Sequence, residues 1–154
     1  MFEIALYQPE IPPNTGNIIR LCANIGAPLH LIKPLGFEIN DKRLRRAGLD
    51  YHAHTVLKIH DNFALFYQTL GLKRLICCET VGKTCYSDMN FQLNDVIMFG
   101  SETKGVPGHI MRLIPPEQII FLPMQNDIRS LNLANTVAIT AYEAWRQHRF
   151  LLAT

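Results

Sequence analysis

No run in this chain is apolar for long enough to span a bilayer, and no Cys-x-x-Cys pair occurs among its four cysteines, Cys22, Cys77, Cys78 and Cys85. The first absence argues against a membrane helix. The second argues against a structural zinc site or a thioredoxin-like redox centre. The opening apolar run leads into the proline-rich stretch Pro9–Pro13, not into G-x-G-x-x-G, which excludes the usual dinucleotide-binding turn. Gly82-Lys83-Thr84 imitates the end of a phosphate-binding loop, but Cys77 stands where that motif needs its first glycine. Internal repeats, low-complexity tracts and Ser/Gly-rich linkers are absent as well. The Met-Phe-Glu start shows no basic, signal-like segment, so a cytoplasmic protein with reduced cysteines is expected. His52 and His54 would share a strand face, yet without a nearby cysteine or carboxylate cluster they make a poor metal site, and none is expected.

What is present fits one compact domain over residues 1–154, with 48% hydrophobic and 18% charged residues. The formal charge of +2 is too small to mark a nucleic-acid binder. Its distribution is more informative, because Lys42, Arg43, Arg45 and Arg46 crowd one short stretch while carboxylates are scattered.

Bounded apolar runs at Phe2–Tyr7, Leu29–Ile32, Lys73–Cys78, Asp95–Phe99 and Gln118–Leu122 predict strands, and His54–Ile59 is strand-like. Helical spacing predicts helices from Asn14 to Ile25 with Gly26 as stop, from an Asp41 cap to Gly48, and from an Asp61 cap to Leu70. A short helix is expected around His109–Leu113 and a long one from about Asn132 to His148. Strands alternating with helices give an α/β protein with a mostly parallel sheet covered on both faces. The last helix is apolar around most of its circumference, through Val137, Ile139, Ala141, Tyr142 and Trp145, which predicts burial on two sides, the second against another subunit, or else a helix packed deep on the sheet.

Three polar strings each follow an apolar run. They are Asn14-Thr15-Gly16-Asn17-Ile18-Ile19-Arg20, Phe99-Gly100-Ser101-Glu102-Thr103-Lys104-Gly105, and Leu122-Pro123-Met124 running on to Arg129-Ser130-Leu131-Asn132. In α/β proteins such loops gather at one edge of the sheet, where small residues let a ligand approach the backbone. Asn14 and Asn17 suit N-capping and could also orient Arg20; Ser130 and Asn132 suit capping of the last helix.

These strings, with Asp41-Lys42-Arg43-Leu44-Arg45-Arg46-Ala47-Gly48 and Tyr142-Glu143-Ala144-Trp145-Arg146 in order around them, resemble the SpoU–TrmD (SPOUT) superfamily of RNA methyltransferases. The resemblance is closest to the small single-domain tRNA 2′-O-methyltransferases of the TrmL type, which modify the wobble cytidine or uridine of leucine tRNAs. It implies S-adenosyl-L-methionine as methyl donor, a deep C-terminal trefoil knot, and a homodimer with the cofactor pockets at its interface. It further implies catalytic roles for Arg20, Glu102, Ser130 and Asn132. Cofactor contacts are implied at Cys78, Gly100, Leu122 and Ser130, with Cys78 standing where relatives commonly carry leucine. Arg43, Arg46 and Arg129 would meet the RNA of the anticodon stem-loop, and Tyr142 the dimer interface. A guanidinium resists deprotonation, so Arg20 suits stabilisation of a developing alkoxide better than proton removal. The alternative from another class is a non-catalytic RNA-binding protein that keeps the fold.

Overall fold

The computed structural model describes residues 1–38, 56–125 and 130–151. Among these, a seven-stranded sheet is formed by β1 (Glu3–Tyr7), β2 (Leu29–Ile32), β3 (Leu57–His60), β4 (Leu75–Cys78), β5 (Thr84–Cys85), β6 (Val96–Phe99) and β7 (Ile119–Phe121). Their order across the sheet is β3-β2-β1-β6-β4-β7-β5, and every pairing is parallel. The helices are α1 (Pro12–Ile25), α2 (Phe63–Thr69), α3 (Gly108–Met111) and α4 (Leu133–Gln147), with a 3-10 turn at Pro116–Gln118. The expected basic helix at Asp41–Gly48, His52 and His54 lie outside the described residues.

Strand alternation sorts the core into two layers. Ile4, Leu6, Ile76, Cys78, Ile97 and Phe99 face α1 and α4, meeting Ile18, Cys22, Val137 and Trp145. Ala5, Tyr7, Cys77, Val96 and Met98 face the other way, toward Phe66 of α2 and Ile110 of α3. The adjacent cysteines therefore point to opposite faces, as period-two geometry requires. Both are buried free thiols, and burial pushes Cys78 up to about 12. The central strands β1, β2, β4 and β6 are buried along their whole length, the state expected of a parallel sheet covered on both sides. β3 is an edge strand and is only half buried.

Three local expectations need correction. Helix α1 begins at Pro12, not Asn14, because Pro12 and Pro13 occupy its first positions and preset φ for the helix. Its N-cap is Ile11, which makes no side-chain cap bond, so Asn14 and Asn17 are interior positions. Helix α2 is capped by Asn62, whose side chain accepts from Leu65 N at 2.9 Å, while Asp61 instead pairs with Lys33 at 2.9 Å. Helix α4 starts after Asn132, so Ser130 precedes the helix and does not begin it. The two-residue β5, too short to show periodicity, was not foreseen.

A buried polar ladder crosses β1, β2 and β3 beneath α2. His30 Nε2 lies 2.6 Å from Glu3 Oε2, and His30 Nδ1 lies 2.9 Å from His60 Nε2. With both rings neutral, His60 donates to His30 and His30 donates to the carboxylate; Lys73 also donates to Glu3. Burial holds both imidazoles below their ordinary value of 6.5. Burial pushes the Glu3 carboxyl up, but the Lys73 and His30 hydrogen bonds outweigh it and the net direction is below 4.5. All three groups thus bind protons more readily in the unfolded chain, so acid favours unfolding. The urea midpoint, at fixed protein concentration, is expected to fall as pH drops below 6.5 and to fall further below 4.5. His30→Phe should remove most of the first decline. A midpoint independent of pH between 7.5 and 5.5 would contradict the buried neutral imidazoles, with both values set on either side of the ordinary 6.5.

Candidate active site

Parallel strands deliver their following loops to one edge, and here the loops after β4, β6 and β7 meet there. They enclose a cavity of about 810 Å³, completed by the start of α1 and by the segment leading into α4. Its wall includes Cys78 at the end of β4 and Glu79 just after it, Gly100 to Gly105 after β6, Leu122 and Met124 after β7, and Ser130 to Leu133. The six residues Cys78, Gly100, Glu102, Leu122, Ser130 and Asn132, expected at the end of one apolar run and in two of the polar strings, therefore share one cavity, and Asn14 brings in the third string.

A chain of hydrogen bonds ties these segments together. The Glu102 carboxylate accepts from Glu10 N at 2.7 Å, Ile11 N at 3.2 Å and Asn14 Nδ2 at 3.0 Å. Asn14 Oδ1 in turn accepts from Asn132 Nδ2 at 2.9 Å. Asn132 Oδ1 caps α4 by accepting from Ala134 N at 2.9 Å and Asn135 N at 3.3 Å. Thr103 adds a second clasp by donating to the Glu10 carboxylate at 2.7 Å. With three donors, this carboxylate ties the β6 loop to the start of α1. Asn14 is 7% exposed, and its two-way amide is what the relay requires: a carboxylate or a hydroxyl cannot both donate to Glu102 and accept from Asn132 with the same reach.

The β6 loop turns back on itself, with Gly105 N donating to Ser101 O at 3.0 Å. Gly105 has φ of +63°, and a Cβ on Gly100 would come within 2.5 Å of the Gly105 backbone and of Glu79 Oε1. Both glycines are required by this close approach. The open backbone that results is the kind of surface a ligand can reach.

Arg20 is exposed on α1 and does not line the cavity of its own chain. It sits about a third of a turn around the helix from Asn14. Tyr142 is 47% exposed and Ile139 40% exposed on α4, while Trp145 and Val137 are buried, so one apolar side of the helix faces the sheet and another faces outward. Ile11 and Leu131, at the cavity rim, are exposed apolar residues too. Arg43, Arg46 and Arg129 lie outside the described residues. Among the described residues no group of three His, Cys, Asp or Glu side chains is placed to hold a metal, and no helix is long and apolar enough to cross a membrane.

Sequence reasoning missed Glu79 altogether. The available signal was its place directly after a fully apolar strand, which is where a parallel sheet presents side chains to its ligand edge. The capping reading of Asn14 does not hold, because Ile11 is the N-cap and the Asn14 amide joins the relay instead.

Comparisons with known proteins agree with this geometry. The SpoU rRNA Methylase family matches residues 1–142. A tRNA (cytidine(34)-2'-O)-methyltransferase from Methylovorus glucosotrophus (strain SIP3-4) is 53% identical over 150 residues, covering 97% of each chain. The protein of the same name from Escherichia coli (strain K12) is 52% identical over 147 residues, covering 96% of this chain and 94% of that one. A chain solved in work on 2-OH methylation of C/U34 on tRNA superposes with a TM-score of 0.92 at 42% identity, covering 97% of both chains. With a parallel sheet of this order, a cavity walled by the three motif strings and relatives matching end to end, the chain belongs to the SpoU methylase family of the SPOUT superfamily.

Proposed function

We propose that this protein methylates the 2′-oxygen of the wobble nucleotide, cytidine or 5-modified uridine, at the first anticodon position of leucine tRNAs, with S-adenosyl-L-methionine as donor. The observation that carries it is the cavity itself, in which strings from three distant parts of the chain converge. Relatives about half identical along their whole length, named for cytidine 34, support the choice of tRNA and nucleotide. The remaining parts of the proposal are the single domain, the C-terminal knot of the superfamily, a homodimer and a cytoplasmic setting.

The donor fits the residues present. The cavity volume lies within the roughly 300–1,000 Å³ usual for small-ligand sites. Leu122 and Cys78 give apolar wall for a base, Gly100 leaves backbone open where no Cβ is tolerated, and Ser130 offers a hydroxyl at the mouth. When bound, S-adenosylmethionine supplies a methyl group on a positively charged sulfur, ready for an oxygen nucleophile, and no metal is needed for that chemistry.

The protein's own part is orientation and charge stabilisation. Glu102, Asn14 and Asn132 hold the α1 start, the β6 loop and the α4 cap in one register, so that nucleophile and donor meet in line. Arg20 stabilises the oxygen as negative charge develops and holds the adjoining phosphate. Because Arg20 lies outside its own chain's cavity, it serves the cavity of a second copy. The exposed Tyr142 and Ile139 of α4, with Ile11 and Leu131 at the rim, supply the apolar surface for that copy. Arg43, Arg46 and Arg129 contact the anticodon stem-loop, giving affinity that falls with salt.

Arg20→Ala should lower kcat by roughly 10²–10³ while leaving affinity for S-adenosylhomocysteine nearly unchanged. Unchanged turnover would remove Arg20 from the reaction. Gly100→Ala, whose Cβ would collide with the Gly105 backbone and distort the β6 loop that walls the cavity, should also be inactive; mixing its subunits with Arg20→Ala subunits should restore activity if the arginine acts across the dimer. No recovery from mixed dimers would place Arg20 in its own chain's site. Asn132→Ala removes a helix cap and the Asn14 contact, and is expected to destabilise the fold by about 1–2 kcal/mol in chemical denaturation. Replacing Arg43 and Arg46 by Ala should weaken tRNA binding and reduce its salt slope by about 2, with cofactor affinity preserved.

A further inference from the structure

Glu79 lines the cavity but has no part in the chemistry above. Its carboxylate is wedged under the β6 loop, where Oε1 accepts from Val106 N at 2.6 Å. A Cβ on Gly105 would lie 2.7 Å from that oxygen, so loop and carboxylate are fitted to one another. Burial pushes the Glu79 carboxyl above its ordinary value, against the backbone donors of Val106 and Thr80. A glutamine could satisfy the same backbone donor without the cost of burying a charge. Packing alone therefore does not account for an acid at this position.

Charge around the cavity does. Among the described residues its charged lining consists of Glu79, Glu102 and Lys104, two acids against one base. The Glu102 carboxylate is met by three donors, whereas Glu79 keeps lone pairs beyond its backbone contacts. A methyl donor and its spent product differ little in shape, but the donor carries a sulfonium cation and the product a neutral thioether. We propose that Glu79 is a specificity-determining residue, its negative charge making the cavity prefer the sulfonium-bearing donor over the thioether product. Resting on S-adenosylmethionine as the donor bound here, it adds to that assignment the means by which spent cofactor is released. Were the sulfonium to bind within this cavity, a unit charge on its wall at protein-surface dielectric would be worth roughly five- to fiftyfold in the ratio of dissociation constants.

Calorimetry on the full chain tests this with three ligands: S-adenosylmethionine, S-adenosylhomocysteine, and sinefungin, whose amine places a stable positive charge where the sulfonium would be. Glu79→Gln is expected to weaken the two cationic ligands by about tenfold and to leave the thioether nearly unchanged. Glu79→Asp, which keeps the charge, should keep most of the preference. A Glu79→Gln protein that binds all three ligands with unchanged ratios, or weakens all three equally, overturns the proposal. Thermal melting checks that the variant folds; should it not, Glu79→Ser, neutral and smaller, is read by the same ratios. A wild-type protein that binds none of the three would overturn the cofactor assignment instead, which separates the two failures.

Discussion

The site depends on a single hydrogen-bonded relay, Glu102 to Asn14 to Asn132. Its members come from the β6 loop, the first helix and the cap of the last helix, so it closes contacts spanning 88 and 118 residues of sequence. Its two end members also satisfy backbone donors that a loop or a helix start would leave open: Glu102 serves Glu10 and Ile11, and Asn132 serves Ala134 and Asn135. Asn14 at its centre is buried, so losing either neighbour would leave a buried polar group without a partner. The arrangement is therefore held as a unit, and the cavity takes its shape from it.

Much of this was legible in the sequence and some was not, for identifiable reasons. The central strands announced themselves as short apolar runs, since strands covered on both faces need apolar residues at every position. The last helix was legible at both ends, because Asn132 and His148 are its caps. Residue type left Asn14 open between capping and orienting Arg20, because it cannot report a partner 88 residues away, and the two prolines had already fixed the helix start. The insertion of β6 between β1 and β4, and of β7 between β4 and β5, is also non-local. No periodicity in the chain encodes strand order, so that part came only with the structure.

The same distinction holds within the site. Gly100, Glu102 and Asn132 were found through recognisable strings, whereas Glu79 belongs to no string and was found only when β4 was seen to end at the cavity. Arg20 shows the opposite case. Its motif is plain in sequence, yet in one chain it points to a surface outside the cavity, and the outward apolar side of α4 supplies the physical reason to look to a second copy. Geometry thus converts a motif into a question about assembly.

The claim at the centre is that donor and ribose oxygen meet in this cavity at one nucleotide of tRNA. The most direct test is transfer of an isotopically labelled methyl group from S-adenosylmethionine to unfractionated tRNA, with the product located by nuclease digestion and mass spectrometry. The account predicts label on the 2′-oxygen of nucleotide 34 in leucine tRNAs. Label on a base, on another ribose or on ribosomal RNA alone would contradict it.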